Sequence, residues 1–369
     1  MAQASAEMER GFAPRQPLGD LSHLSHREVI DITNILTLRH IEQSLQGSHP
    51  IDSPELQARA AELQQGIAEF YHKTQTKEGI AIRLAMAQKI QRADHLYHKY
   101  ATKKTVEEQF AWRLAAFEGL NAFSDFDLTW TDRDTYNIKA IPGSKHAEAL
   151  LAQHGRNIFP HVFGEFWEPM LKSHPELFRA AGKDEDVQFR PGIQGFLDFL
   201  KDGAHKLRII SASFKPFVES ATEHFGIHPD QVIANQHGNI IPTQKGVVLA
   251  HFAQQDPHLL PLIIGDGETD EKFLQLDEIP GVDTSDFRPE DIIGIAFALE
   301  GKGLARRLTA RKTPFIPFRN FHDVTNALIR LDTRAKEIQQ QYGDELATPI
   351  PSRRPSYLHS LPPITTIHS

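Results

Sequence analysis

The sequence contains no cysteine, and this absence excludes several kinds of chemistry. Without thiols the chain can form no disulfide, no thiolate metal site and no cysteine nucleophile. It also has no apolar run that approaches the roughly 20 residues of a membrane-spanning helix, and its first residues lack the apolar stretch of a signal peptide. We therefore expect a soluble, cytoplasmic protein without a membrane partner.

An excess of basic charge is also missing. The chain of 369 residues has a formal net charge of −8, which argues against a nucleic-acid-binding surface. Hydrophobic residues make up 40% of the sequence, enough for a large core. The length allows two domains, or one domain with a large insertion. We expect no nucleic-acid partner.

The first third of the chain predicts helices only. Residues 1–20 are mostly small and polar, with glycine and proline, and are predicted to be disordered. In residues 21–119 apolar side chains recur at helical spacing in four segments. This region predicts an all-helical module, which could dock on the rest of the chain, form a homo-oligomer or bind a protein partner.

From residue 120 onward, predicted strands alternate with predicted helices. This alternation is typical of a Rossmann-like α/β fold, with a parallel sheet covered on both faces. We assign residues 120–130 and 190–332 to this core. Residues 131–189, which are rich in aromatic residues, predict a helical cap inserted after the first strand. Residues 333–369 predict a C-terminal helix and a disordered proline-rich tail.

Polar residues follow several of the predicted strands. Asp125 and Asp127 come after the first strand, Ser211 is predicted at the end of the next, and Asp266 lies after a later one. Carboxyl ends of parallel strands meet at one edge of a sheet, where ligands bind. We therefore expect these side chains to form one site. For the two acids of the first strand alone, an ordinary turn is the alternative.

These residue types suit phosphoryl transfer. One carboxylate of the Asp125–Asp127 pair can attack phosphorus while the other moves protons, and Ser211 and Lys245 can bind the phosphate. Asp266 and Asp270 offer hard oxygen ligands. So many carboxylates would repel one another without a cation, and Mg²⁺ prefers oxygen ligands. The sequence therefore predicts a Mg²⁺ cofactor.

The ordered motifs DFDLT, IISAS, a downstream lysine and GDGETD resemble the four motifs of the haloacid dehalogenase superfamily of phosphohydrolases. The resemblance extends over residues 120–331. It implies that Asp125 is the nucleophile and Asp127 the general acid and base. It also implies that Ser211 binds phosphate and that Lys245 is the lysine of the third motif.

The same resemblance implies a Mg²⁺ site. Asp266 corresponds to a direct metal ligand, and Asp270 supports the site. Asp125 and the backbone carbonyl of Asp127 would be the remaining protein ligands. The resemblance thus assigns the metal to Asp125, Asp127, Asp266 and Asp270.

The spacing of the motifs resembles the phosphoserine phosphatase-like branch. Asp125 and Ser211 are 211 − 125 = 86 residues apart, which leaves room for a helical cap directly after the first motif. In that branch an acidic residue near position 134 binds the substrate amine, and this chain has Asp134 where the family has glutamate. Ala212 and Ser213 replace two glycines.

These departures leave the substrate open. A small phosphorylated metabolite is expected, and phosphoserine and thiamine monophosphate are both candidates because the DFDLT segment also resembles thiamine monophosphate phosphatases. Asp134, Ala212 and Ser213 are the predicted substrate-binding residues. Two alternatives remain: a phosphotransferase, or a binding and scaffold protein that uses the same fold with little turnover.

Overall fold

The computed structural model describes residues 77–135, 138–143, 149, 152, 167–235, 245–267, 270–271, 273 and 292–348. The predicted disordered N-terminus, the first two helices of the helical module, part of the predicted cap and the proline-rich tail lie outside the described residues. Within the described ranges, no helix is long and apolar enough to cross a membrane.

A six-stranded sheet forms the centre of the molecule. Its strands are β1 (Gly119–Ser124), β2 (Lys206–Phe214), β3 (Val232–Asn235), β4 (Leu259–Gly265), β5 (Ile295–Leu299) and β6 (Ile316–Phe318). The spatial order is β3-β2-β1-β4-β5-β6 and every pairing is parallel. The predicted Rossmann-like α/β class is confirmed.

The burial of the strands shows that they lie at the centre of the molecule. Every residue of β1, β4 and β5 is buried. Since alternate residues of a strand point to opposite faces, both faces of the sheet are covered there.

The helices in the described ranges are α1 (Lys77–Tyr100), α2 (Val106–Ala115), α3 (Glu168–Ser173), α4 (Pro175–Gly182), α5 (Ile193–Lys201), α6 (Lys215–Thr222), α7 (Lys245–Gln255), α8 (Gly303–Arg311) and α9 (Phe321–Ala347).

Three strand boundaries differ from the prediction. The apolar run DIIGIAF at 291–297 predicts a strand from its first residue, but β5 begins at Ile295. Gly294, just before it, lies so close to the Leu260 side chain that a Cβ would approach it to 2.2 Å. The segment KTPFIP at 312–317 also predicts a strand, but Lys312 has a left-handed backbone with φ of 58° and β6 starts at Ile316. Ser211 was expected at a strand end, whereas β2 continues to Phe214.

Helices α1 and α2 pack against the last helix, α9, and share one hydrophobic core with the sheet. Thr105 caps α2, since its hydroxyl accepts a hydrogen bond from the Glu108 N–H. Arg334 of α9 forms an ion pair with Glu108 at 2.9 Å. The Tyr100 ring of α1 stacks on Tyr342 of α9, with centroids 4.8 Å apart. These contacts fix both helices on the α/β core.

Candidate active site

The site lies where the sheet order changes direction. β1 has β2 on one side and β4 on the other, and ligands of open parallel sheets bind beyond the carboxyl ends of such strands. Asp125 follows β1 and Asp266 follows β4 directly. The Asp125 N–H donates to the Ile264 carbonyl at 2.9 Å. This register places the two acids beside each other.

Three buried carboxylates converge at this point. Among the described residues, Asp125, Asp266 and Asp270 each offer an oxygen, and these oxygens lie within 4.8 Å of one another. Lys245, the first residue of α7, has a fully buried side chain. Its ammonium donates to Asp125 Oδ1 and to Asp270 Oδ1, both at 2.6 Å. The structure thus brings together four residues that the sequence placed in one site.

The glycine-rich turn after β4 is built around Asp270. The Asp270 Oδ2 atom accepts hydrogen bonds from the backbone N–H groups of Asp266 at 2.8 Å and Gly267 at 2.9 Å. A Cβ on Gly265 would lie 2.5 Å from the same oxygen. Gly265 is therefore needed for this close approach, and Asp270 both supports the turn and contacts Lys245.

The charges of this cluster do not balance. Three carboxylates against one ammonium, counted over the described residues, leave an excess of two negative charges. Burial raises the pKa of Asp125 to about 7; repulsion from Asp270 adds to this, and Lys245 opposes it. Burial, then repulsion from Asp270 and Asp125, raises the pKa of Asp266 to about 8. The positive charge of Lys245 is therefore too small to balance the carboxylates of the cluster.

Lys245 itself stays protonated. Burial alone would lower the pKa of its ammonium, but attraction to Asp125 and Asp270, together with both hydrogen bonds, raises that pKa overall. A bound cation would balance the carboxylates without their protonation. Its side-chain ligands would all be carboxylate oxygens, which suits Mg²⁺ better than a soft metal. The donor set of Asp125, Asp266 and Asp270 fits this cofactor.

Asp127 is held apart from the cluster. Its Oδ1 atom accepts hydrogen bonds from the backbone N–H of Thr135 at 3.1 Å and from the Thr135 hydroxyl. Burial raises the pKa of Asp127 well above its usual range, and repulsion from Asp134 and Asp125 adds to the shift. The Asp127 side chain is thus suited to carry a proton. The part of Asp127 that would bind the metal is its backbone carbonyl, as the resemblance implies.

Ser211, which is predicted to bind phosphate, lies on β2 next to β1, together with Ala212 and Ser213. Ser124 of β1 pairs with Ile209 of β2, so Ser211 lies beside the turn that follows β1. The Ser211 hydroxyl oxygen accepts a hydrogen bond from the Ser213 N–H at 3.0 Å, and both serines are fully buried. The Ala212 carbonyl accepts from the side-chain amide of Asn235.

Asp134 lies on the same side of the site as Asp127. Its charge raises the Asp127 pKa, and it precedes Thr135, which binds Asp127 directly. The placement of Asp134, Ala212 and Ser213 for binding a substrate remains a prediction.

A strained turn orients the two acids. Leu128 has a φ of 58°, a left-handed conformation that is costly for a side chain of this type. Arg190 donates from Nε to the Leu128 carbonyl at 3.0 Å, and the Leu128 N–H donates to the Thr131 hydroxyl at 3.3 Å. These bonds hold the turn in place between Asp127 and the segment that follows it.

Sequence reasoning missed three residues that support the acids. Thr129 donates from its hydroxyl to Asp266 Oδ1 at 3.2 Å, and it could have been found because it belongs to the DFDLT motif. Thr135 and Arg190 had no comparable signal. Their contacts with Asp127 and Leu128 depend on how the turn at Leu128 folds in space, and the spacing of these residues in the sequence does not indicate them.

No family model matches this chain, and no curated protein matches it either. Among solved structures, a HAD family hydrolase from Salmonella enterica serovar Typhi is similar with a TM-score of 0.41 and 17% identity, over 58% of this chain and 72% of that one. A phosphoserine phosphohydrolase-like protein from Francisella tularensis has a TM-score of 0.33 and 16% identity, over 56% and 98%.

A third solved structure, DsGPDH of Dunaliella salina, has a TM-score of 0.40 and 16% identity over 58% of this chain. The match spans 36% of the Dunaliella protein, which is therefore much longer than the shared region. The solved structures to which this chain is similar thus include a HAD family hydrolase and a phosphoserine phosphohydrolase-like protein.

Proposed function

We propose that this protein is a Mg²⁺-dependent hydrolase of small phosphomonoesters that forms a phosphoaspartate on Asp125. The observation that carries this proposal is the separation of two neighbouring acids. Asp125 contacts Lys245 within the carboxylate cluster, whereas Asp127 is held outside it by Thr135. One acid can therefore attack phosphorus while the other handles protons.

In the first step, a carboxylate oxygen of Asp125 attacks phosphorus and the ester P–O bond breaks. Asp127, whose raised pKa favours the protonated form, gives its proton to the departing alcohol oxygen. Lys245 has three N–H donors, two of which bind Asp125 and Asp270. The third can bind a phosphoryl oxygen.

Ser211 supports the same step. Its hydroxyl oxygen accepts from the Ser213 N–H, so its own proton is available for a second phosphoryl oxygen. Donors placed before the reaction stabilise the charge that develops on the transferring group without any reorganisation cost.

In the second step, a water molecule attacks the phosphorus of the acyl phosphate. The bond between phosphorus and Asp125 breaks, and the water proton passes to Asp127, which is a carboxylate after the first step. Inorganic phosphate leaves, and both acids return to their starting protonation states. The two steps together consume one ester and one water.

The metal would be held by Asp125, Asp266 and Asp270. When bound, Mg²⁺ supplies the positive charge that allows an anionic phosphate to approach three carboxylates. The excess of negative charge in the cluster, where Lys245 is the ammonium among the described residues, supports this requirement.

The metal requirement gives the first prediction. Phosphate release from 4-nitrophenyl phosphate, phosphoserine and thiamine monophosphate should appear with Mg²⁺ and fall at least about a hundredfold after EDTA treatment, because an essential stabilising charge is removed. Added Mg²⁺ should restore it. Equal rates before and after EDTA would contradict the proposal. Absence of release from every ester, with Mg²⁺ present, would favour the binding and scaffold alternative.

A further inference from the structure

Two hydroxyl groups lie in a row behind Asp127. The Thr135 hydroxyl donates to Asp127 Oδ1, and the hydroxyl oxygens of Thr135 and Ser213 are 2.7 Å apart. Both hydroxyl-bearing residues are fully buried. Thr135 lies eight residues after Asp127 and Ser213 lies on β2, so three separate segments meet here.

The direction of these hydrogen bonds follows from the acceptor. The Thr135 proton is given to Asp127 Oδ1, so the Thr135 oxygen is left to accept from the Ser213 hydroxyl. A hydroxyl that accepts one hydrogen bond becomes a stronger donor in the next. Ser213 therefore strengthens the hydrogen bond between Thr135 and Asp127. It acts through Thr135, the residue to which its hydroxyl is bonded.

The two bonds from Thr135 also distinguish the two oxygens of Asp127. The Thr135 N–H and hydroxyl both donate to Oδ1. An oxygen that accepts two hydrogen bonds has little capacity left to carry a proton. The proton that the proposed reaction transfers would then reside on Oδ2.

We infer that Thr135 and Ser213 are positioning residues that form a two-hydroxyl relay, which fixes Oδ1 of Asp127 and leaves Oδ2 to exchange the proton with the leaving group. This inference rests on the proposed function. It assigns Ser213 a role different from the predicted binding of substrate. It also gives a purpose to the serine that stands where the resembling family has glycine.

A comparison of two esters tests the relay. The leaving alkoxide of benzyl phosphate needs a proton, whereas 4-nitrophenolate leaves without one. The parameter kcat/KM reports formation of the phosphoaspartate, so it isolates the acid step. Thr135→Val removes the hydroxyl but keeps the backbone N–H. It should lower kcat/KM for benzyl phosphate about 10- to 100-fold and for 4-nitrophenyl phosphate less than about threefold.

Further variants separate positioning from structure. Thr135→Ser keeps the hydroxyl and should recover most of the loss with benzyl phosphate. Ser213→Ala should show a smaller loss of the same selectivity. The double variant should be no worse than Thr135→Val alone, because Ser213 acts through Thr135. As a control, Thr222→Val removes another buried hydroxyl, on α6, and should not change the ratio between the esters.

Each contrary result has its own meaning. Equal losses on both esters in Thr135→Val would show a merely structural role and overturn the relay. An increase of KM for both esters in Ser213→Ala, with kcat retained, would show that Ser213 binds substrate and would also overturn it. If the wild-type protein hydrolyses neither ester with Mg²⁺, the proposed function itself fails, and the relay fails with it.

Discussion

Replacing Asp125 by asparagine is expected to lower kcat by at least about 10⁴-fold, the scale on which loss of an attacking group acts in enzymes with covalent intermediates. The amide has nearly the same shape as the carboxylate but cannot attack phosphorus. The measurement is phosphate release from 4-nitrophenyl phosphate with Mg²⁺ present. Turnover within about tenfold of wild type, in a folded variant, would exclude Asp125 as the nucleophile.

The asparagine variant should remain folded. It removes one of three crowded carboxylates whose burial and mutual repulsion raise the pKa of Asp125, and Lys245 keeps its contact with Asp270 at 2.6 Å. Thermal unfolding without metal checks this directly. Asp198→Asn, an equivalent change of an exposed carboxylate on α5, is the matched control and should retain full turnover.

Replacing Lys245 by methionine is expected to reduce both stability and activity. The substitution keeps the length of the side chain but leaves Asp125 and Asp270 buried without their ammonium partner. Breaking a buried ion pair in this way costs about 3–5 kcal/mol in the free energy of unfolding. Loss of a donor to the phosphoryl group should also lower kcat by about 10²- to 10³-fold.

The loss of stability should depend on pH and on metal. Without the lysine, the pKa of Asp125 should rise above the value of about 7 that it has in the wild type. A carboxyl whose pKa is higher in the folded than in the unfolded state favours folding at low pH, and this contribution is lost as the pH rises through the folded pKa. The stability deficit of Lys245→Met relative to the wild type should therefore shrink at lower pH and grow at higher pH. Mg²⁺ should recover part of it, because it replaces the missing positive charge.

Urea unfolding in EDTA provides the measurement for Lys245→Met. Lys206→Met is the matched control, because Lys206 pairs with the buried Asp256 while remaining half-exposed, and Asp256 keeps its second partner, Arg208. The control should lose less than about 1 kcal/mol. Equal losses in both variants would show that the Lys245 contacts add nothing beyond an ordinary surface ion pair.

Much of the site could be predicted because its residues follow apolar runs. The strands that precede Asp125 and Asp266 are buried throughout, so their hydrophobicity shows in the sequence and marks where each strand ends. Adjacent parallel strands then bring their carboxyl ends together whatever the rest of the chain does. The convergence of Asp125 and Asp266 therefore followed from local patterns, whereas Lys245, the first residue of α7, was assigned to the site from the order of the motifs.

The arrangement around Asp127 could not be predicted in the same way. It depends on the left-handed backbone of Leu128, which the sequence does not indicate because the residue at this position is not glycine. It also depends on the contact of Thr135 with Ser213, 78 residues away in the chain. The start of β5 was misplaced for a similar reason: Ile292 and Ile293 are buried like strand residues, but they precede the close approach at Gly294.

The stereochemistry at phosphorus tests the central claim most directly. The substrate would be an ester whose phosphoryl group is made chiral with oxygen isotopes, hydrolysed by the wild-type protein with Mg²⁺ in isotopically labelled water. Attack by Asp125 followed by attack of water gives two inversions, so the phosphate released should show overall retention of configuration. Overall inversion would show a single direct attack by water and would contradict a phosphoaspartate intermediate.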